Sequence, residues 1–181
     1  MIIGSLTLGV LQRLPSSRFT PTAKIQKKAT RAEDGTMFSS RGWEKYSVAI
    51  TGLAQDSFED LRYEYQRTDA IDLYFIAPRK ELLSPSGSTN NMFVSRRFRL
   101  DDADFYPIVQ YPVGTSLPAA SRTFANTTLY GQVALTFTPV AGTNTFLVKY
   151  YPIIAGEIMS LDTDYEWNED SESYSLVFEE V

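Results

Sequence analysis

Apolar side chains in this chain recur at every second residue in short runs, and each run is stopped by glycine, proline, serine or asparagine. Val133, Leu135 and Phe137 are separated by Ala134 and Thr136, and Phe146, Val148 and Tyr150 by Leu147 and Lys149. Successive side chains of a strand point to opposite faces, so this spacing builds sheets with one buried face rather than a helical stripe. Many short strands broken by turn formers predict a mostly β fold, an antiparallel β-sandwich or barrel. The strands expected are Ile3 to Gly9, Ala23 to Lys28, Tyr46 to Gly52, Ala70 to Ala77, Met92 to Leu100, Leu129 to Thr138, Thr145 to Tyr151, Glu157 to Leu161 and Tyr174 to Glu180.

Within that pattern, the Leu129 to Phe137 series and the Phe146 to Tyr150 series are expected to form a hairpin through Pro139 to Asn144, because Gly142 and Asn144 tolerate positive φ. One flanking α-helix is expected over about Ser57 to Arg67. Asp56 or Ser57 can cap it, Glu59 and Asp60 sit at its positive end, and Phe58, Leu61 and Tyr65 share a stripe. Arg31 to Trp43 and Ser84 to Asn91 read as loops or arms, and Phe105 to Ala125, with Pro107, Pro112 and Pro118, as an extended excursion. At 181 residues, 43% hydrophobic and 22% charged, residues 1–181 have the size and composition of one domain with a real core. Ile2 to Leu11 is too short and too polar to span a bilayer and reads as strand rather than signal peptide.

The chain has neither cysteine nor histidine. Disulfides, thiolate metal sites, cysteine nucleophiles and the commonest general base are therefore excluded together. No phosphate-binding glycine loop occurs, no Gly-x-Ser-x-Gly elbow, and no serine three residues before a lysine. Carboxylate pairs remain, at Asp101, Asp102 and Asp104 and at Asp162, Asp164 and Glu166. A glycosidase needs such a pair beside a sugar platform, which Tyr165 and Trp167 are placed to supply; neighbouring acids in a turn more often form a solvated loop. The Asp162, Asp164, Glu166 alternation also has the hard oxygens calcium prefers, but Trp167 stands where an EF-hand loop requires glycine. The expectation is a protein that is not an enzyme and carries no cofactor and no metal. Asn126-Thr127-Thr128 is a formal glycosylation sequon, read as chance.

Charge is divided along the chain. Residues 1 to 100 hold 15 Lys and Arg against 10 Asp and Glu; residues 101 to 181 hold 2 against 12. Such a division suits a head-to-tail contact between subunits, or one wall of a channel held negative. The densest basic cluster, Arg96, Arg97 and Arg99 around Phe98, fits an interface strand better than a nucleic-acid site in a chain of pI near 4.8. Arg96, Arg97, Arg99 and Trp43 are the candidate subunit-interface residues. Tyr165 and Trp167 are the carbohydrate-platform candidates of an alternative reading, a carbohydrate-binding β-sandwich.

The order of parts, an arm over Arg31 to Ser40, then "RGWEKYSVAITGL", the helix in "QDSFEDLRYEYQRTD", the strand "AIDLYFIAPRK" and the terminal "YEWNEDSESYSLVFEEV", resembles bacteriophage tail structural proteins, above all distal tail and tail-tube-like baseplate proteins. The resemblance covers the layout of about two thirds of the chain. It implies a virion protein assembled in the host cytoplasm, forming a hexameric ring with itself around the DNA channel. Partners would be tube, hub or fibre-attachment proteins, with the genome passing unrecognised and no membrane insertion. A tail terminator, tube or neck connector protein is the alternative within that class.

Overall fold

A computed structural model of the chain describes residues 2–3, 6–7, 18–31, 37–54, 58–85, 90–111, 115–137, 145–166 and 171–181. The fold is mostly β, with antiparallel sheets; among the described residues there is one short α-helix and no closed barrel. In chain order the first elements are β1 (Ile2–Ile3), β2 (Leu6–Thr7), β3 (Arg18–Arg31), β4 (Met37–Ala54), α1 (Phe58–Tyr65) and β5 (Ile71–Tyr74). There follow β6 (Arg79–Leu83), β7 (Asn91–Val94), β8 (Arg97–Phe98), β9 (Ile108–Gln110) and β10 (Arg122–Asn126). The last are β11 (Gly131–Leu135), β12 (Phe146–Tyr150), β13 (Pro152–Glu166) and β14 (Ser171–Glu180). Among the described residues no helix is long and apolar enough to cross a membrane. The chain divides into two compact units, residues 1–72 with 155–181, and residues 73–154.

The first unit is built on long strands. β4 lies between β14 and β3, and β13 follows β14, all antiparallel. Register sets apolar residues in rows: Ile158 faces Phe178, which faces Val48, and Leu161 faces Leu176, which faces Ile50. Val48, Ile50, Leu176, Phe178 and Ile158 are all buried. Phe178 and Leu176 are two residues apart but Ile158 and Leu161 three, and a bulge between Ile158 and Ser160 takes up the extra residue so that both rows reach the buried face. Pro21 sits in β3, opposite Val48. β3 ends the strand order, the place in a sheet where the missing proline N–H removes least. At Gly156 a Cβ would collide with the Glu179 carbonyl and the Phe178 ring, so β13 passes β14 there only as glycine.

α1 spans Phe58–Tyr65, within the expected Ser57 to Arg67. The expected stripe is corrected: Tyr65 is exposed, and among the described side chains of the helix it is Glu64 that is buried. Glu64 pairs with Arg67 at 3.2 Å, and Arg67 also binds Asp69 at 2.5 Å, so the acid enters the interior with its counter-ion attached.

The second unit is a β-sandwich of two three-stranded sheets, β10-β11-β7 and β6-β12-β9. Its core is Met92 and Val94 of β7, Val133 and Leu135 of β11, and Phe146, Val148 and Tyr150 of β12, closed by Phe98, Val109 and Leu117. Phe98 meets Phe124 edge-on at 5.9 Å and Tyr150 at 6.2 Å, an arrangement that adds to the burial of the rings. The Phe98 ring occupies the space a Cβ would take at Gly131, so that glycine admits the ring to the core.

The expected hairpin between the Leu129 to Phe137 and Phe146 to Tyr150 series is corrected. β11 pairs with β10 and β7, whereas β12 pairs with β6 and β9. The two runs therefore belong to opposite sheets, and the 139–144 connection lies outside the described residues. The Phe105 to Ala125 excursion is also more regular than its prolines suggested: it follows a 3-10 turn at Ala103–Phe105 and holds β9, a 3-10 turn at Ala119–Ser121 and most of β10. Arg31 to Trp43, expected as a loop or arm, is strand from Met37 onward.

Candidate interaction surfaces

The first unit extends a two-stranded ribbon. β14 accompanies β4 only from Ala54 to Ser47. From there β3 and β4 pair with each other alone among the described residues, as far as Arg31 opposite Met37. The register slips between Ile25 and Lys27, where Gly42 and Trp43 together oppose Gln26. This is a β-bulge, which bends a ribbon and increases its twist. Trp43, an interface candidate, therefore sits at the bend; its side chain lies outside the description.

The root of the ribbon is tied to the end of β14. Lys24 Nζ meets Glu179 Oε1 at 2.5 Å, Ser47 Oγ donates to the same oxygen at 3.4 Å, and the Tyr46 N–H donates to Glu180 Oε2 at 2.9 Å. The hydrogen bond from Lys24 holds the Glu179 carboxyl below its ordinary value. These ties use the last acids of the chain to hold the place where the ribbon leaves the sheet.

The arginine cluster in the second unit separates. Arg99 is buried, and its guanidinium donates to both Asp101 oxygens at 3.0 and 2.7 Å and to the Phe75 carbonyl at 3.2 Å. Its Cζ lies 3.3 Å from the centroid of the Phe105 ring. The fork donates to a carboxylate in its plane while its face stacks on an aromatic, a use of arginine that lysine cannot copy. Asp101 is in turn held below its usual value by the Arg99 hydrogen bonds. Arg97 lies in β8, paired with Ile153 of β13, and Arg96 precedes it; both are partly exposed. Arg99, expected at a subunit interface with its neighbours, is instead spent inside the unit, because β8 ends at Phe98 and the chain leaves the strand there.

Two polar devices were not foreseen. Glu81 of β6 accepts from Tyr150 Oη at 2.5 Å, from Ser95 Oγ at 2.5 Å and from the Ser95 N–H at 3.0 Å, with Arg79 Nε 3.0 Å away. Burial pushes this carboxyl up, but the bonds from Ser95 and Tyr150 outweigh it and set it below the ordinary range. Burial, then the Glu81 bond, raises the Tyr150 hydroxyl. Near neutrality the pair is thus a fixed anion and a fixed donor, linking one sheet to the end of β7 in the other; neither group titrates where a general acid or base must. Asn126, the sequon residue, accepts from the Phe98 N–H at 3.0 Å and donates to the Phe98 carbonyl at 2.7 Å. Its amide thereby stands in for a neighbouring strand beside β8. No local signal distinguishes such an asparagine from one in a turn.

On the outer face of β10-β11-β7, Phe93 is 50% exposed and meets the half-exposed Tyr130 edge-on at 6.0 Å. Gln132 is paired with Phe93, and Leu129 adjoins Tyr130 with 68% exposure. The carbohydrate candidates of the sequence are elsewhere: Tyr165 is in β13, with its side chain outside the description, and Trp167 lies outside the described residues altogether. Asp162 is exposed on β13; the Asp164 and Glu166 side chains are outside the description. Among the described residues no group of three or more acids is placed to hold a metal ion. No protein-family model matches the chain, and no curated protein matches it.

Proposed function

We propose that the chain is a non-catalytic structural subunit that assembles with copies of itself into a ring, of the kind that ends a bacteriophage tail tube at the distal tail or baseplate hub. The observation that carries self-assembly is the β3–β4 ribbon, which runs on past the end of β14 with no third strand among the described residues. A two-stranded ribbon alone in water is marginally stable, and an edge strand presents a row of N–H and C=O groups that a further strand or surface can pair. Its length makes physical sense where a further surface covers it. The tail assignment rests on the order of parts that resembles tail proteins and on the division of charge along the chain. In that setting the genome passes through the lumen and is not bound by sequence.

Light scattering on the purified protein, with negative-stain images of the same sample, tests this reading. Rings with a central hole are expected; a monomer at every concentration overturns it. A second reading, a glycan-binding module, is supported by the exposed Phe93 and Tyr130 rings beside the Gln132 amide, since aromatic faces and planar amides are what a neutral sugar requires. Glycan binding lost in Phe93→Ala is its expected signature, and a glycan array with no response removes it.

A further inference from the structure

The two ends of β4 carry hairpins of opposite charge. At its amino-terminal end is the ribbon, where residues 27–41 hold Lys27, Lys28, Arg31 and Arg41 against Glu33 and Asp34. All four bases fall on the five paired positions from Lys27↔Arg41 to Arg31↔Met37. Its carboxyl-terminal end, Ala54, is paired with Glu172 beside the turn of the β13–β14 hairpin. There residues 162–172 hold Asp162, Asp164, Glu166, Glu169, Asp170 and Glu172 and no base. The two charged hairpins are thus held apart by β4 itself, 18 residues of strand with one bulge at Gly42 and Trp43, a contour on the order of 55 Å at about 3.3 Å per residue. A strand paired along this length cannot fold back to bring its own ends together, so neither hairpin can neutralise the other within one molecule.

We infer that the basic β3–β4 ribbon of one copy docks on the acidic β13–β14 hairpin of the next. The inference rests on the self-assembly reading above and names the contact that performs it. Complementary charge steers two such surfaces together and fixes their register, while the acids of one hairpin, repelling each other in isolation, gain cations on docking. Each copy offers one basic and one acidic end, so the contact is heterologous: it closes into a ring if the rotation between copies permits, and otherwise runs on as a filament. Most of the attraction acts over a Debye length of about 8 Å in physiological salt, so assembly weakens as salt rises.

The test is a charge exchange read by light scattering, with circular dichroism to show that each protein is folded. Lys27→Glu with Lys28→Glu reverses the ribbon, and Asp162→Lys, Asp164→Lys, Glu166→Lys and Glu172→Lys together reverse the other end, leaving two acids against four bases over residues 162–172. Each charge-reversed variant alone is expected to need about tenfold or more higher concentration to assemble, and an equimolar mixture of the two to recover assembly, because each reversed end then meets its complement. The neutral pair Lys27→Gln with Lys28→Gln gives a smaller loss and replaces the reversed ribbon should that variant not fold. Assembly of both variants at wild-type concentrations, or a ribbon variant that fails while the acidic-end variant assembles normally, overturns this contact and leaves self-assembly standing; the second pattern is that of a ribbon serving another polyanion. A wild-type protein that stays monomeric overturns self-assembly and the contact with it.

Discussion

Glu81 is held ionised by Ser95, Tyr150 and Arg79, and the sign of its pH effect follows. Its folded value lies below the ordinary 4.5, so its contribution to stability is complete above that value and is lost as the pH falls through the folded one. The urea midpoint of the wild type should therefore exceed that of Glu81→Gln at neutral pH, and the gap should close as the solution is acidified below about 4.5. Tyr150→Phe removes one buried donor to the carboxylate and should cost about 1–2 kcal/mol in the same titration. Arg99→Lys keeps the charge but loses the two-pronged bond to Asp101 and the stacking on Phe105; a loss of about 1–2 kcal/mol is expected by chemical denaturation. Gly131→Ala places a methyl group against the Phe98 ring and should lower the thermal midpoint by more than either, since neither the strand nor the packed ring has room to move. Ser95 and Tyr150, which bind Glu81, and Phe98, which binds Asn126, lie on or beside other elements, so those roles were not legible in the local sequence; Arg99 has Asp101 only two residues away, but β8 ends at Phe98 where the strand was expected to run on to Leu100.

At the level of elements, alternation announced nearly every strand of the long sheet and much of the sandwich, but not which strands pair. β11 and β12 bury Val133 and Leu135, and Phe146, Val148 and Tyr150. Two runs that face each other across a core carry the same period as two that sit side by side, so the residues alone favour a hairpin where the fold places opposite sheets. β6 escaped notice because Arg79, Lys80 and Glu81 mask its period, and β9 because it is only three residues long between prolines. The helix was legible from its cap and first-turn acids, yet its buried residue is Glu64, since an ion pair with Arg67 admits a charge that hydropathy would place outside. Trimming the ribbon tests its role as an element. Replacing residues 26–43 with an Asn-Gly turn joins Ile25 to Glu44, which already face each other. Cooperative unfolding should persist while the mass in light scattering falls to that of a monomer.

For the molecule as a whole, residues 73–154 contain both three-stranded sheets and every member of the sandwich core. The segment also begins and ends close together, with the Phe75 N–H donating to the Pro152 carbonyl at 2.9 Å. Such an arrangement is typical of a unit that folds alone. Expressed separately, residues 73–154 should unfold in one cooperative transition and protect the amides of β11 and β12 from exchange; a broad transition without protection would show that its core depends on the remainder of the chain. Local composition by itself determined the β class, the position of the helix, the division of charge, and the lack of any histidine or cysteine for catalysis or metal binding. Those properties depend only on which residue follows which. Only the tertiary structure decided that adjacent runs lie in opposite sheets, that Arg99 is spent on Asp101 and Phe105, and that β4 holds a basic and an acidic hairpin at opposite ends. The first and last depend on which distant strand supplies the neighbour, and the second on how the chain turns after β8 to bring Asp101 and Phe105 onto Arg99; alternation of side chains says which face is buried but not against what.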